Sequence, residues 1–466
     1  MNEIKEISPA GLNDSERLQN YRALLDFYGG RQWTGRENGN EKRLTFNYAC
    51  TFIDKLTSYL MQGRNFTVES RRDTPRGRSL AQAAEQALDQ VHEYNHLEQL
   101  DFETETDCAI LGDACYKVTW EEGEASGSRL QAASGSRGRV RVTAPDIQGI
   151  SAWWDGDDMS RVWKVASRYT LSAEEAAMLY AIKPWQKKTV ITEIWTDSEF
   201  ELLMDNIALE KKPNPYGFIP FIVFPNLRAP KQFWGASDLT QIMQPQRELN
   251  RALSQISHIL ELSGNPVTVL ENVDESSDIA VKPGAVWNIP EDAKAYLLDL
   301  LKDGGLNLHL SYIELLYRVL HDIAETPRAA FGGSGKELSG IAMQIELYPL
   351  IQKVQRKRTI RNAVYNRRNE MILRLLKKFG GGPDMAEIDP DDLRLRTVWG
   401  QVLPADQAKL IANEKTLVEN GIHSRRRAMD EVGVKDPEAE FKHWMEEEER
   451  IIQIRTNPPA ADPTST

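Results

Sequence analysis

The sequence predicts an α+β subunit, mainly helical and elongated. Three observations predict it. Apolar residues recur at steps of three and four through two long stretches, 237–263 and 305–325. Between residues 114 and 225 the pattern changes to short alternating runs bounded by Gly, Pro, Asn and Asp, as strands require. From 339 onward it turns helical again, with one short strand near 394–399. A chain of 466 residues suffices for several domains or one multi-part subunit.

The elements follow in order. Residues 13–28 read as an amphipathic helix with Asn13 or Ser15 near its start, followed by the turn GGRQW. A second helix covers 46–62 and stops at Gly63, and FTVES is a short strand. A third helix, 79–100, places Leu80, Ala84, Ala87, Leu88 and Val91 at helical spacing, and a fourth, 101–112, ends at Gly112. ACYKVTWEE and GRVRVTAPD are strands joined by a Gly/Ser-rich hairpin tip. Further strands are expected at 161–169, 189–196, 199–204 and 219–225. Ser237 is positioned to cap the helix that runs to Ser263-Gly264. Leu306, Leu310, Ile313, Tyr317, Leu320 and Ala324 form the apolar stripe of its partner. Between the two, residues 264–302 hold short strands at PVTVL and AVWNIP, so the pair reads as a stalk with a tip. The tip is acidic at Glu271, Asp274, Glu275 and Asp278. A long helix covers 339–378. Three helices close the chain: one stopping at Gly421, one from Ser424 to Gly433, and one opening at Asp436-Pro437. The final TNPPAADPTST reads as disordered.

Composition narrows the function. Hydrophobic content of 41% and charged content of 27% suit a soluble protein with a real core. The longest apolar stretch, GFIPFIVFP, is too short to span a bilayer, and the N-terminus has no signal-peptide pattern. Cys50, Cys108 and Cys115 have no metal or disulfide spacing, which suggests a reducing compartment. A net charge of −12 argues against general DNA binding. Against that balance, residues 352–378 carry ten Lys and Arg and one acid, Glu370. Lys353, Lys357, Arg361 and Arg368 share one helical face there. A charge run is ordinarily a solvated face, but in an acidic chain it equally points to an anionic partner.

Two stretches suggest enzymes. FGGSGKELSG resembles a phosphate-binding loop, but its leading Gly position is Ala330 and its hydroxyl position is Glu337. It also follows a helix stopped by Pro327, where a strand would be needed. His92-Glu93-Tyr94-Asn95-His96 matches HExxH, two histidines one helical turn apart for Zn²⁺ with a Glu as base. No second histidine motif follows, and Glu121 and Glu122, which could supply a third ligand, sit at a strand end, so neither a metal nor a cofactor is expected. A zinc metallopeptidase and a DNA-binding protein that forms no ring stay open as alternatives.

Several segments together resemble the tailed-bacteriophage portal, or connector, family. They are GGRQW with Arg43 and Asn47; HLEQLDFETETDCAILGDACY; WGASDLTQIMQPQRELNRALSQISHILELSGNPVTVL; ETPRAAFGGSGKELSGIAMQ; and WGQVLPADQAKL followed by NGIHSRRRAMDEVG. They occur in the family's order over roughly residues 20–455.

The resemblance implies a ring, usually of twelve subunits, at one capsid vertex of the virion, assembled in the host cytoplasm. Double-stranded DNA passes along its axis during packaging and ejection. The family has no catalytic residues of its own; the terminase supplies ATP hydrolysis. On this reading residues 1–235 are N-terminal helices and the wing. Residues 236–263 and 303–326 are the stem helices, and 264–302 the clip. Residues 327–338 are a tunnel loop, 339–402 the long basic helix with a wing strand, 403–455 the crown, and 456–466 a disordered tail. Gly332, Gly333, Ser334, Gly335 and Lys336 are then expected to face the DNA. Lys353, Lys357, Arg361 and Arg368 are expected to touch DNA or a neighbouring subunit. Glu271, Asp274, Glu275 and Asp278 are expected to dock the terminase large subunit and the head–tail adaptor. The major capsid or a scaffold protein completes the expected partners, and no membrane is involved. A neutral-to-acidic ring suits a channel in which DNA must slide, because each neutralised phosphate adds affinity.

Overall fold

The computed structural model describes residues 14–36, 41–122, 138–180, 187–264, 268–271, 294–297, 305–332, 340–380, 386–403, 407–434 and 437–456. It divides into two compact units, residues 1–400 and 401–466. The fold is α+β and mostly helical, and every described strand pair is antiparallel.

In the first unit α1 (Asp14–Tyr28) and α2 (Tyr48–Met61) open the chain. Asn47 caps α2 by accepting from the Cys50 amide at 3.3 Å, and the helix buries Phe52, Ile53, Leu56 and Leu60. Strand β1 (Asn65–Ser70) leads to α3 (Pro75–Tyr94), where Thr74 accepts from Gly77 N at 3.0 Å and Pro75 fills the first turn. α4 (Leu97–Leu111) ends at Gly112, whose φ is +96°. A Cβ there would lie 2.9 Å from Ser237 N, so glycine serves both the left-handed turn and the close approach.

Strands β2 (Asp113–Glu122), β3 (Gly138–Thr143) and β9 (Phe221–Pro225) form a sheet with β2 central. Strands β4 (Ile150–Trp154), β5 (Val162–Ser172), β6 (Lys188–Trp195), β7 (Glu199–Met204) and β8 (Ile207–Pro213) form a five-stranded meander. A short helix, α5 (Ala173–Tyr180), joins β5 to β6. Residues 227–228 and 235–236 make the small pair β10–β11.

α6 (Met243–Gly264) and α7 (Gly305–Ala324) pack as an antiparallel pair. Their buried apolar residues, Leu249, Ala252 and Ile256 on α6 and Leu320 and Ala324 on α7, lie where α6 begins and α7 ends. Beyond these, Leu260, Leu310 and Leu315 are about half exposed and Leu308 is 74% exposed. Strands β12 (Thr268–Glu271) and β13 (Lys294–Leu297) pair beyond them. α8 (Gly340–Phe379) is a single 40-residue helix with Pro349 inside it. Before the proline, Ile345 and Tyr348 are exposed; after it Leu350, Val354, Tyr365, Ile372 and Leu375 are buried. β14 (Leu393–Val398) returns to pair with β1.

Two apolar cores result. One joins α1 and α2 to the five-stranded sheet and the anchored ends of α6 and α7, through Leu24, Phe27, Ile53, Ile150, Ile191 and Leu320. The other joins α3, α4 and the three-stranded sheet to α8, through Leu88, Tyr116, Val118, Phe224, Tyr365 and Ile372. The second unit contains α9 (Gln407–Glu419), α10 (Arg425–Val432) and α11 (Pro437–Thr456). Ser424 caps α10 through the Arg427 amide at 3.2 Å, and Gly433 ends it at φ +91°.

Several expectations shift. The third helix stops at Tyr94 instead of running to residue 100, because His96 takes a left-handed conformation at φ +50° and starts a new helix. The helix expected from Ser237 begins at Met243: Ser237 Oγ accepts from Leu239 N at 3.0 Å, capping only a turn. β4, α5, β8 and the pair β10–β11 were not foreseen. The AVWNIP strand, the hairpin tip after β2 and the final TNPPAADPTST lie outside the described residues, apart from Thr456, the last residue of α11; β12 instead pairs with 294–297.

Candidate functional site

The basic face of α8 is an internal one. Lys353, Lys357, Arg361 and Arg368 are 5%, 1%, 0% and 0% exposed, so the face expected to meet DNA or a neighbouring subunit meets carboxylates of its own chain. Lys353 Nζ lies 2.9 Å from Asp238 Oδ1 and donates to Ala324 O at 3.0 Å. Lys357 pairs with the same Asp238 and donates to Asn226 Oδ1 at 2.6 Å. Arg361 Nε reaches both oxygens of Glu105, at 2.6 and 2.9 Å, and its Nη1 donates to Pro225 O at 2.7 Å. Arg368 forks onto Asp101, with one bond at 3.0 Å, and Arg64 reaches the same carboxylate at 2.6 Å. On the adjacent side of α8, Arg358 donates to the carbonyls of Tyr59, Leu60 and Gln62 at the end of α2, and to Gly400 O. The three α2 oxygens have no further turn of helix to bond to.

The charges sustain one another. Burial works against the charge on Asp101, but the guanidinium groups of Arg368 and Arg64 hold its carboxyl below the usual range. Asp238 is buried too, and the two lysines hold it well below that range. Asp113 differs. Burial outweighs its bonds from Gly235 N and Tyr21 and lifts it to about 6. Carboxylates locked against cations in this way hold structure and are poor bases at neutral pH.

A second polar assembly anchors α6. Gln32 Nε2 donates to Asn47 Oδ1 at 2.8 Å, and Asn250 Nδ2 donates to Gln32 Oε1 at 2.7 Å. Gln246 Nε2 donates to Phe46 O at 2.6 Å and to Asn250 Oδ1 at 3.0 Å. Phe46 N and Leu44 N donate in turn to Asn250 Oδ1 and Ser254 Oγ, each at 3.0 Å. The turn GGRQW, Asn47 and the α6 residues stand far apart in sequence and close one amide zipper. Nothing in the spacing of either segment announces their contact.

Of the expected loop, Gly332 is described, at φ +79° after a 3₁₀ turn (Arg328–Phe331) whose Phe331 packs edge-on to Phe52 and His321. Gly333, Ser334, Gly335 and Lys336 lie outside the described residues. The segment follows α7, a helix, so a phosphate loop's preceding strand is absent at this position. Glu271 faces Lys294 across β12–β13 and accepts from Tyr296 Oη at 3.1 Å. Asp274, Glu275 and Asp278 lie outside the described residues.

The HExxH reading fails on geometry. His92 is in α3 and bonds Asn369 at 2.9 Å, whereas His96 follows the helix break, so the two do not share a helical face. Burial, and then Arg368 nearby, press His92 down to about 4. Among the described residues no cluster of three His, Cys, Asp or Glu suits a metal ion, and no helix is long and apolar enough to cross a membrane.

No protein of curated function matches the chain. Residues 12–453 match the family model "Phage portal protein, SPP1 Gp6-like". That match takes in both units, the anchored helix pair and the α8 frame. The chain therefore belongs to the SPP1 Gp6-like phage portal protein family, non-enzymatic proteins that form the portal for DNA packaging and ejection.

Proposed function

We propose that this portal protein forms a closed ring of twelve copies at one capsid vertex, with α6 and α7 as the stem around the DNA channel. Family membership implies an oligomeric ring that works with DNA and a terminase. The observation that carries the finer reading is the stem pair. Leu308 and Leu315, seven residues apart and so on one face of α7, lie uncovered beyond the anchored end, where a neighbouring copy would bury them. On this reading the segment 327–338 projects toward DNA, with Lys336 as a transient phosphate contact. Residues 264–302, including Asp274, Glu275 and Asp278, dock the terminase and then the head–tail adaptor. The capsid or scaffold protein grips the outside of the ring. Electron microscopy and native mass spectrometry of the purified protein test this. Twelve-fold rings are expected, and Leu308→Asp/Leu315→Asp should abolish them while leaving the subunit folded. Monomers and dimers alone at micromolar concentration would overturn it.

A further inference from the structure

A groove of about 960 Å³ runs between the end of α2, β1, α3 and the start of α4. Its lining is mixed: Phe102, 42% exposed, supplies the open apolar surface, over the buried Phe66 and Leu97, beside Arg64, Asn65, His96 and Gln99. Its rim carries Asp89, Glu93 and Glu98, all exposed. Among the described residues, none of these three carboxylates makes a side-chain hydrogen bond or ion pair. Two of the lining side chains are tied down, His92 to Asn369 and Arg64 to Asp101, so the Arg64 charge is already matched. An exposed phenylalanine inside an unpaired acidic rim fits an apolar knob flanked by cations.

Such a knob exists elsewhere in the same unit. Met178 and Leu179 on α5 are 88% and 66% exposed. Lys187 and Lys188 lie at the start of β6, exposed and without a described ion-pair partner. Ala173 N donates to Lys187 O at 3.2 Å, so both segments belong to one corner of the meander. Tyr180 Oη meets Tyr169 Oη at 2.5 Å, and Tyr169 donates to Glu193, which fixes the end of α5.

We propose that the Met178–Leu179 and Lys187–Lys188 corner of one copy seats in the Asp89–Glu93–Glu98 groove of the next. The inference rests on the ring reading above. Head-to-tail rings bring two unlike surfaces of neighbouring copies together, and these two are complementary in both charge and polarity. The need is also electrostatic. Each copy carries a net −12, so neighbours repel unless cations are set against acids where they touch.

Two charge-reversed proteins test it: Glu93→Lys/Glu98→Lys and Lys187→Glu/Lys188→Glu. Each alone should keep wild-type circular dichroism and give roughly tenfold fewer rings, since like charges then meet at every contact. An equimolar mixture should restore rings, because the intact knob of one fits the intact groove of the other and the two reversed surfaces also match. Glu98→Cys/Lys187→Cys gives an independent reading: under oxidation it should link copies into a ladder of multimers. Wild-type assembly by each reversed protein alone, no recovery in the mixture, or no intermolecular crosslink would overturn the contact while leaving the ring intact. Monomers from the wild-type chain would overturn the ring and this contact together.

Discussion

Replacing Glu105 by Gln tests whether the buried ladder along α8 holds the first unit together. The substitution keeps the shape and one acceptor oxygen, so the bonds from Arg361 and from Tyr365 Oη, at 3.0 Å, can persist in neutral form. What is lost is the countercharge of a guanidinium that is 0% exposed. Breaking one side of a buried pair costs about 3–5 kcal/mol. Pro225 O at 2.7 Å and Asn226 O at 3.2 Å still solvate Arg361, which places the expected loss near the lower end, about 3 kcal/mol. Urea unfolding followed by tryptophan fluorescence, at one fixed protein concentration, measures it. The concentration must be fixed because assembly adds apparent stability. The midpoint should fall with the slope unchanged. Removing both charges, as Glu105→Leu/Arg361→Leu, should recover much of the loss, since neither group then needs desolvating. A loss below about 1 kcal/mol for Glu105→Gln, the range of an exposed pair such as Arg31–Asp26, would refute the reasoning.

Three further outcomes are expected. Asp113 is raised to about 6, so its contribution is full below about pH 4 and lost as pH rises through 6; Asp113→Asn should therefore unfold at higher urea than wild type at pH 8, and lower urea there would contradict this. His92 is pressed to about 4, so the fold resists its proton and stability falls from about pH 6.5 toward 4; His92→Gln should flatten that part of the pH profile. Gly235→Ala should cost about 3 kcal/mol or more and deplete soluble protein, because a Cβ would lie 2.3 Å from Gly112 O; wild-type thermal stability would show that the turn can open.

The strands show how much was legible. β5, β6 and β7 were readable because the meander pairs neighbours in sequence and each strand is a short run rich in β-branched and aromatic residues. α5 escaped because eight residues give too few turns to establish a period. The break between α3 and α4 escaped because neither Gly nor Pro marks it: the stop is a non-glycine residue, His96, in a left-handed conformation. The basic helix was visible as a charge imbalance, but its meaning was not. Asp101 and Glu105 lie 267 and 256 positions from Arg368 and Arg361, and only tertiary contact reveals that they neutralise each other. A sign existed in the local pattern: Asp101, Glu105 and Cys108 lie one turn apart on the buried side of α4, where isolated acids would be intolerable. The zipper residues Gln246 and Asn250 could be picked out by their resemblance to a family pattern, yet their partners in the strap 44–47 could not.

The ladder along α8 also bears on descent. Arg368 with Asp101, Arg361 with Glu105, and Lys357 with Asp238 each join segments far apart in the chain. A lineage that loses one member carries a stranded charge, and the shortest repair is a second change at its mate. Substitutions at these sites should therefore travel in couples: in diverged relatives, position 361 should become neutral where 105 has become neutral, while the exposed cations of α8, such as Arg367, drift singly. The frame would leave its mark on inheritance as linked columns, legible without any structure once enough sister sequences are compared.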